Sequence, residues 1–186
     1  MRIIGGRARG RRLASPPGEK ARPTGDRVRE ALFNIWGQSL DGLRLLDVCA
    51  GSGAVALEAL SRGAAEAVAI ERDPALCRQI ESEGARLGLA RGLRVRRGDA
   101  RKELGRLRRE GEPPFDLAFV DPPWKDADLR RELAGLLFEG PPLCLGAAVE
   151  CPKGEALPAP PGARLAREAR YGETVILFFE AAEGGE

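Results

Sequence analysis

Short apolar runs alternate with longer amphipathic stretches between residues 43 and 150. The apolar runs predict strands, and continuous runs such as LAFV suit a sheet that is covered on both faces. The strands are predicted at 43–48, 67–71, 93–97, 115–120 and 143–150, and the helices near 54–61, 74–87, 100–109 and 127–138. Strict alternation of strand and helix indicates successive βαβ units and therefore a parallel sheet.

The C-terminal part of the chain departs from this alternation. The segments ARLAREARYG and TVILFFEA are both strand-like, and Gly172 and Glu173 form the turn between them. Two strands joined by so short a turn predict an antiparallel hairpin. We therefore predict an α/β fold, with a doubly wound, mostly parallel seven-stranded sheet that ends in an antiparallel hairpin.

The first residues have a pattern of their own. RII and RRLA, on either side of the glycine-rich GGRARG, predict a small basic β-hairpin. DRVREALFNIW then has helical spacing, with Thr24 or Asp26 available as N-cap. We expect residues 1–25 to be an extension without a core of its own and residues 26–186 to form one domain, as suits 186 residues.

Positive charge is concentrated at the start of the chain. Residues 1–30 hold nine Arg or Lys against three Asp or Glu, although the net charge of the whole chain is only +2. This asymmetry favours a polyanionic partner, because each phosphate that an arginine neutralises releases counterions. The alternative is a solvated tail that has no partner.

The remaining composition limits the chemistry and the location. The sequence has no histidine, and its four cysteines form no C-x-x-C pair, so we expect reduced thiols and no metal. No apolar stretch reaches the roughly 18 residues of a membrane span, and MRIIGGRARGRR lacks the apolar core of a signal peptide. We expect a cytoplasmic monomer. The cysteines are Cys49, Cys77, Cys144 and Cys151.

Three strand ends carry residues that suit a nucleotide-like ligand. The first strand runs into a turn in which Gly51 and Gly53 permit close approach of a ligand to a helix N-terminus. Dinucleotide enzymes share such a G-x-G turn, and many such turns only connect a strand to a helix. Glu71 ends the second strand, where a carboxylate can accept hydrogen bonds from both ribose hydroxyls. Asp99 follows the third strand and suits either an adenine amine or the N-cap of the next helix.

The fourth strand ends in Asp121-Pro122-Pro123-Trp124. The lone pair of an exocyclic base amine is delocalised into the ring, so the amine must be drawn out of conjugation before it attacks. A carboxylate from Asp121 and the carbonyl of Pro122 offer two acceptors for its two N–H groups, and the prolines fix the backbone. Trp124 offers a flat face for an extruded base. The alternative is a proline-stiffened turn with a core tryptophan.

These motifs resemble the bacterial 16S ribosomal RNA guanine-N2 methyltransferase family, one of the class I S-adenosylmethionine-dependent enzymes. Four segments carry the resemblance: Met1–Gly6 with the arginines that follow, Arg22–Asn34, Asp47–Gly53 and Phe115–Trp124. With Leu57–Gly63 they extend over most of the chain, in the family's order and spacing. Trp124 stands where the family usually has phenylalanine or tyrosine.

The resemblance implies a Rossmann-like methyltransferase fold, S-adenosylmethionine as cofactor, and methylation of the guanine at position 966 of 16S ribosomal RNA in an assembling small subunit. The expected catalytic residues are Asp121, Pro122, Pro123 and Trp124. The expected cofactor-binding residues are Asp47, Ala50, Gly51, Ser52, Gly53, Glu71, Arg72, Asp99, Ala100 and Asn34. The expected RNA-binding residues are Arg2, Arg7, Arg9, Arg11, Arg12, Arg22, Thr24, Arg27 and Arg29.

Four other functions compete with this one, and the residues argue against three of them. Adenine-N6 methylation of a nucleic acid uses the same Asp-Pro-Pro-aromatic motif. Methylation of a protein side-chain amide poses the same chemical problem, but the arginine-rich start of the chain argues against it. An NAD-dependent oxidoreductase would need a histidine or a Tyr-x-x-x-Lys pair, and the sequence has neither. A non-catalytic RNA-binding module would explain the arginines but not the carboxylates at three strand ends.

Overall fold

The computed structural model describes residues 1–14 and 25–182. Within these ranges five α-helices alternate with strands, and one 3₁₀ turn precedes the third strand. The helices are α1 Asp26–Trp36, α2 Ala54–Ser61, α3 Pro74–Arg86, α4 Ala100–Arg109 and α5 Ala127–Phe138. The strands are β1 Arg44–Val48, β2 Glu66–Glu71, β3 Leu93–Arg97, β4 Phe115–Val120, β5 Cys144–Pro152, β6 Ala163–Tyr171 and β7 Thr174–Ala181.

All seven strands form one sheet in the order β3-β2-β1-β4-β5-β7-β6. The strands from β1 to β5 are parallel, whereas β7 runs antiparallel to both β5 and β6. The order reverses direction at β1, which is the switch point where open α/β sheets bind their ligands. The predicted doubly wound sheet with a C-terminal antiparallel hairpin is confirmed.

Two apolar clusters cover the two faces of the sheet. Helices α1, α2 and α3 pack on one face and α4 and α5 on the other. Neighbouring residues of β1 show the alternation, because Leu45 belongs to the first cluster and Leu46 to the second. This burial on both faces explains why central strands such as β4 contain continuous apolar runs rather than alternating patterns.

Residues 1–14, called the arm below, form the small hairpin that the sequence predicts and are also bonded to the domain. Arg2 and Arg12 form an antiparallel bridge, the N–H of Ile3 donates to the carbonyl of Arg11 at 2.9 Å, and the N–H of Leu13 donates to the carbonyl of Met1 at 3.1 Å. The N–H groups of Ile4 and Gly5 donate to the carboxylate of Glu58 at 2.8 and 2.7 Å. The small hairpin is therefore confirmed, and α2 holds it against the domain.

Two element boundaries also differ from prediction. Gly25 is the N-cap of α1, one residue before the candidate Asp26, and its carbonyl accepts the N–H of Arg29 at 3.0 Å. The other candidate, Thr24, lies outside the described residues. Strand β5 continues to Pro152, two residues beyond its predicted end, because its last residues pair with the start of β7. A cross-sheet partner of this kind leaves no signal in the local pattern.

The helices are short, and α3 is the longest with 13 residues. In residues 1–14 and 25–182 no helix combines the length and the apolar character that crossing a bilayer requires. The predicted boundary at residue 25 adjoins residues 15–24, which lie outside the described ranges, so the division into extension and domain stays a prediction.

Candidate active site at the carboxyl edge of the sheet

The loop between β1 and α2 turns sharply at the edge where the parallel strands end. Cys49, Gly51 and Gly53 have positive φ angles of 64°, 56° and 71°. A Cβ atom on Gly53 would lie 2.7 Å from Cγ1 of Ile80, so both the conformation and the close approach of α3 require glycine there. At Gly51 a Cβ atom would meet nothing within 4 Å, which marks open space above the turn.

Glu71, the last residue of β2, fixes this loop. One carboxylate oxygen accepts the N–H of Gly51 at 2.8 Å, and the other accepts the N–H of Asp73 at 2.8 Å. The side chain is largely buried. Each carboxylate oxygen has a further lone pair, so Glu71 can hold the loop and accept hydroxyl groups at the same time.

Asp47 places a second carboxylate at the same edge. It is 2% exposed, and its Oδ2 accepts the N–H of Ala56 in α2 at 3.0 Å. The pKa of Asp47 is raised to about 7, and burial is the largest cause; the hydrogen bond from Ala56 acts to lower the pKa, and the charges of Asp121 and Glu71 act to raise it. The mutual influence of Asp47, Glu71 and Asp121 indicates that the ends of β1, β2 and β4 gather three carboxylates.

The loop after β4 is tied to the β1 edge. The backbone N–H of Asp121 donates to the carbonyl of Val48 at 3.3 Å. Pro122 is buried, whereas Asp121 and Trp124 are half-buried. The loop therefore holds a carboxylate and an aromatic ring at the edge that also carries the glycine turn.

Asp99 lies at the end of β3 and acts as the N-cap of α4. Its carboxylate accepts the N–H groups of Arg101 and Lys102 at 3.1 and 3.4 Å. The capping interpretation that the sequence left open therefore describes its contacts in this structure. Its side chain is 44% exposed, so the carboxylate also faces solvent beside Ala100.

Arg130 in α5 supports the Asp-Pro-Pro-Trp loop, and the sequence analysis did not identify it. Its Nε donates to the carbonyl of Glu150 at 2.9 Å, and its Nη1 donates to both oxygens of Glu155 at 2.7 and 2.8 Å. Its Nη2 donates to the carbonyls of Trp124 at 3.3 Å and Pro123 at 3.5 Å. Arg130 is wholly buried, and the one sequence signal was its place in the helix that follows the motif.

The thiol of Cys49 is unsuited to nucleophilic attack. Burial, followed by the charges of Glu71, Asp121 and Asp47, raises its pKa to about 12, while the charge of Arg72 lowers it. Arg72 therefore lies within electrostatic range of the glycine turn. Among residues 1–14 and 25–182, no three His, Cys, Asp or Glu side chains are grouped as metal ligands.

Two side chains near the C-terminal end of α2 bond the arm. Buried Glu58 also accepts Nε of Arg62 at 2.9 Å, and the Ser61 hydroxyl accepts the N–H of Ala8 at 2.9 Å and donates to the carbonyl of Gly5 at 2.6 Å. Such a set of backbone contacts fixes the course of the arm. The exposed arginines of the arm therefore extend from a backbone that α2 holds in place.

Arg29 corrects one expectation about RNA binding. Its side chain is wholly buried, its Nη2 donates to the carbonyl of Arg2 at 2.5 Å, and its Nε lies 3.7 Å from Oε2 of Glu58. A guanidinium in this position supports the arm from the domain side and does not face a phosphate. The expectation that Arg29 binds RNA is wrong in this conformation.

The other expected residues are distributed over two surfaces. Asn34 is exposed on α1, where it accepts a hydrogen bond from Gln38 and lines a groove described below. Arg22 and Thr24 lie outside the described residues. The exposed arginines among those expected to bind RNA are Arg2, Arg7, Arg9, Arg11, Arg12 and Arg27.

Comparisons with known proteins agree with this architecture. Ribosomal RNA small subunit methyltransferase D of Escherichia coli strain K12 is 39% identical over 189 residues, which covers 100% of this chain and 92% of that protein. The model of the family described as Conserved hypothetical protein 95 matches residues 1–180. The chain belongs to this family. Family membership confirms the resemblance to ribosomal RNA methyltransferases of the small subunit.

Solved structures with a similar fold agree with the family assignment. A hypothetical protein from Thermus thermophilus has a TM-score of 0.80 at 35% identity, covering 97% of this chain and 99% of that one. An RNA methyltransferase from Salinibacter ruber, solved with S-adenosyl-L-homocysteine, has a TM-score of 0.63 at 16% identity, covering 89% and 97%. At that identity the second likeness shows a shared fold. The Rossmann-like architecture is therefore that of the family and of more distant methyltransferases.

Proposed function

We propose that this ribosomal RNA methyltransferase uses S-adenosylmethionine to methylate the exocyclic N2 amine of a guanine in 16S ribosomal RNA. Family membership supports the RNA substrate, since a relative that matches the whole chain is named a small-subunit RNA methyltransferase. The observation that carries the proposal is the gathering of Asp121, Asp47 and Glu71 at the edge that carries the glycine turn.

The residues at this edge fit the cofactor. Glu71 keeps lone pairs for two ribose hydroxyls while its oxygens hold Gly51 and Asp73. Open space above Gly51 leaves room for a ligand against the turn. When bound, S-adenosylmethionine supplies a methyl group on a positively charged sulfur. The related fold of the Salinibacter ruber enzyme, which holds S-adenosyl-L-homocysteine, supports the same choice of cofactor.

The Asp121–Trp124 loop is proposed to hold the target base. The carboxylate of Asp121 and the carbonyl of Pro122 accept the two N–H groups of the amine and turn its lone pair out of conjugation. Trp124, half-buried, stacks on the extruded base. Buried Arg130 holds the carbonyls of Pro123 and Trp124, so the acceptors keep their positions. Expulsion of water and alignment then favour direct transfer without a covalent enzyme intermediate.

Two alternative substrates would use the same geometry. Adenine N6 and a protein side-chain amide both present a conjugated N–H₂ group to two acceptors. The exposed arginines of the arm favour RNA over a protein amide, because guanidinium groups bind phosphates. The choice of guanine rests on the resemblance of four sequence segments to the guanine-N2 family. We also propose that the substrate is an assembling small subunit, that a monomer acts on it, and that the arm extends the 26–186 domain toward the RNA.

Methyl transfer from labelled S-adenosylmethionine to small ribosomal subunits that lack the modification tests this function. The expected product after digestion to nucleosides is labelled N2-methylguanosine, and subunits that already carry the modification are the control. Label in N6-methyladenosine would contradict the guanine assignment, and label in a ribosomal protein would contradict the RNA substrate. The absence of label in every fraction would contradict the enzymatic activity itself.

A further inference from the structure

A groove runs between the outer face of α1 and the end of β6, apart from the carboxylates described above. It has a volume of about 820 Å³. Val28, Ala31 and Ile35 of α1 provide an apolar wall, and Arg27 lies at the same wall. Across the groove lies β6, an edge strand of the sheet. The groove therefore has both an apolar surface and a basic one.

Strand β6 contributes Arg167 and Tyr171 to the opposite wall. Arg167 is exposed, whereas the ring of Tyr171 is half-buried and packs against the apolar cluster that includes α1. A ring fixed in this way loses little side-chain entropy when a flat ligand stacks on it. Glu30 is the one carboxylate among the groove-lining residues that the structure describes, against the two arginines.

The groove continues toward the arm. A second cavity of about 420 Å³ shares Glu30 and Asn34 with the first. Its other end is lined by Gly5, Gly6 and Arg9 of the arm. The two cavities form one tract that follows α1 from the β6–β7 turn to the basic arm, and this tract is named the α1 tract below.

The α1 tract begins at the same edge of the sheet as the candidate active site. Strand β6 ends next to the start of β7, where Thr174 pairs with Pro152 at the end of β5, and the N–H of Lys153 donates to the carbonyl of Glu173 at 2.8 Å. Between β4, which carries Asp121, and β6 lie β5 and β7. Three strand spacings amount to about 14 Å, which is within reach of nucleotides that flank an extruded base.

We propose that the α1 tract binds a single-stranded RNA segment that flanks the target base. A base stacks on Tyr171, Arg27 and Arg167 contact its neighbouring phosphates, and the strand continues along α1 to Arg9 of the arm. Aromatic stacking combined with a basic groove is the arrangement by which proteins hold single strands. The inference rests on the proposed function, because it names the surface by which that function's RNA is held.

Binding of a short fluorescent single-stranded RNA in the presence of S-adenosyl-L-homocysteine tests the tract without requiring catalysis. We expect the double variant Arg27→Ala, Arg167→Ala to reduce the slope of log affinity against log salt by about 1.4, since each phosphate contact contributes roughly 0.7. Tyr171→Ala should weaken binding on the order of tenfold, and Tyr171→Phe, which keeps the ring, should remain close to the wild type. Arg109→Ala on α4, across the sheet, is the matched control.

The same variants should raise KM for small ribosomal subunits and leave the affinity for S-adenosyl-L-homocysteine unchanged. The inference would be overturned if the arginine variant and Tyr171→Ala both had the same RNA affinity and salt slope as Arg109→Ala. The groove would then be a candidate site for a protein contact instead. Weakened RNA binding with a wild type that transfers no methyl group would uphold the tract and refute the proposed function. Normal methylation by the wild type, with unchanged RNA binding in the variants, would uphold the proposed function and refute the tract.

Discussion

Burial changes the pKa of one carboxylate at the candidate site, Asp47. Its pKa is about 7 in the folded protein against an ordinary value of 3.8, with burial as the main cause. Between these values the folded state binds more protons than the unfolded chain, so the free energy of unfolding falls as the pH rises. Ionisation of Asp47 therefore costs on the order of a few kcal/mol of stability at neutral pH and above.

We expect Asp47→Asn to flatten this dependence of stability on pH. Asparagine carries no charge and keeps an oxygen that can accept the N–H of Ala56. Its melting temperature should fall less than that of the wild type between about pH 5 and about pH 8, as measured by circular dichroism. Asp128→Asn, which changes a largely exposed side chain of α5, should retain the wild-type dependence. Equal losses in Asp47→Asn and wild type would contradict the account.

The rule that parallel strands bring their carboxyl ends to one edge predicts where Glu71, Asp99 and Asp121 lie in the fold. It does not distinguish a ligand contact from a helix cap, and Asp99 makes the cap contacts. The structural roles of Arg29 and Arg130 could not be predicted from the sequence. An arginine is expected in solvent, yet both are wholly buried against backbone carbonyls.

Helix α5 supports the Asp121–Trp124 loop, because its Arg130 donates hydrogen bonds to two carbonyls of that loop. We expect Arg130→Lys to lower kcat on small ribosomal subunits by one to two orders of magnitude, since a single ammonium cannot reproduce the contacts of a fork and small displacements of a site are costly. Affinity for S-adenosyl-L-homocysteine, measured by calorimetry, should be retained. Steady-state kinetics separate the effect on kcat from the effect on KM.

The neighbouring exposed arginine provides a matched control for that experiment. Arg131 makes a surface ion pair with Asp128 at 3.1 Å, so Arg131→Lys should leave both kcat and stability unchanged. A wild-type kcat in Arg130→Lys would show that the loop keeps its geometry without the guanidinium fork. An equal loss in both variants would point to a general effect of α5 instead.

The helices and strands follow closely from local patterns. The parallel strands and their helices begin and end within about two residues of prediction, because burial on both faces and helical periodicity are properties of local sequence. The local pattern also predicts the short hairpin of the arm, but it does not predict how the arm is attached, because Glu58 and Ser61 lie more than fifty residues away. Such long-range bonds leave no signal in the local sequence.

The charge distribution of the whole molecule gives a further prediction. Arg7, Arg9, Arg11 and Arg12 are exposed on an arm that α2 holds in place. Replacing all four by alanine should weaken binding to small ribosomal subunits and lower the slope of log affinity against log salt by about three. Titrations at several salt concentrations measure this slope, with Arg109→Ala on the opposite face as control. An unchanged slope would mean that the arm does not contact phosphate.

The sequence does not predict which distant segments of the chain come together at the surface. Arg27 and Tyr171 are separated by most of the chain, yet they line one groove beside α1. The alternating pattern predicts the sheet and its edge, since topology follows from the order of strands and helices. It does not predict how α1 sits against the C-terminal hairpin, which depends on contacts such as that between the Trp36 and Phe178 rings.

Asp121→Ala tests the central claim most directly. Single-turnover transfer of labelled methyl from S-adenosylmethionine to unmodified small ribosomal subunits should fall by about two orders of magnitude or more, because the amine loses the acceptor that orients it. Binding of S-adenosyl-L-homocysteine and of subunits should be retained, and Asp128→Ala should transfer methyl at the wild-type rate. Unchanged turnover in Asp121→Ala would contradict the placement of the methyl-transfer site at the end of β4.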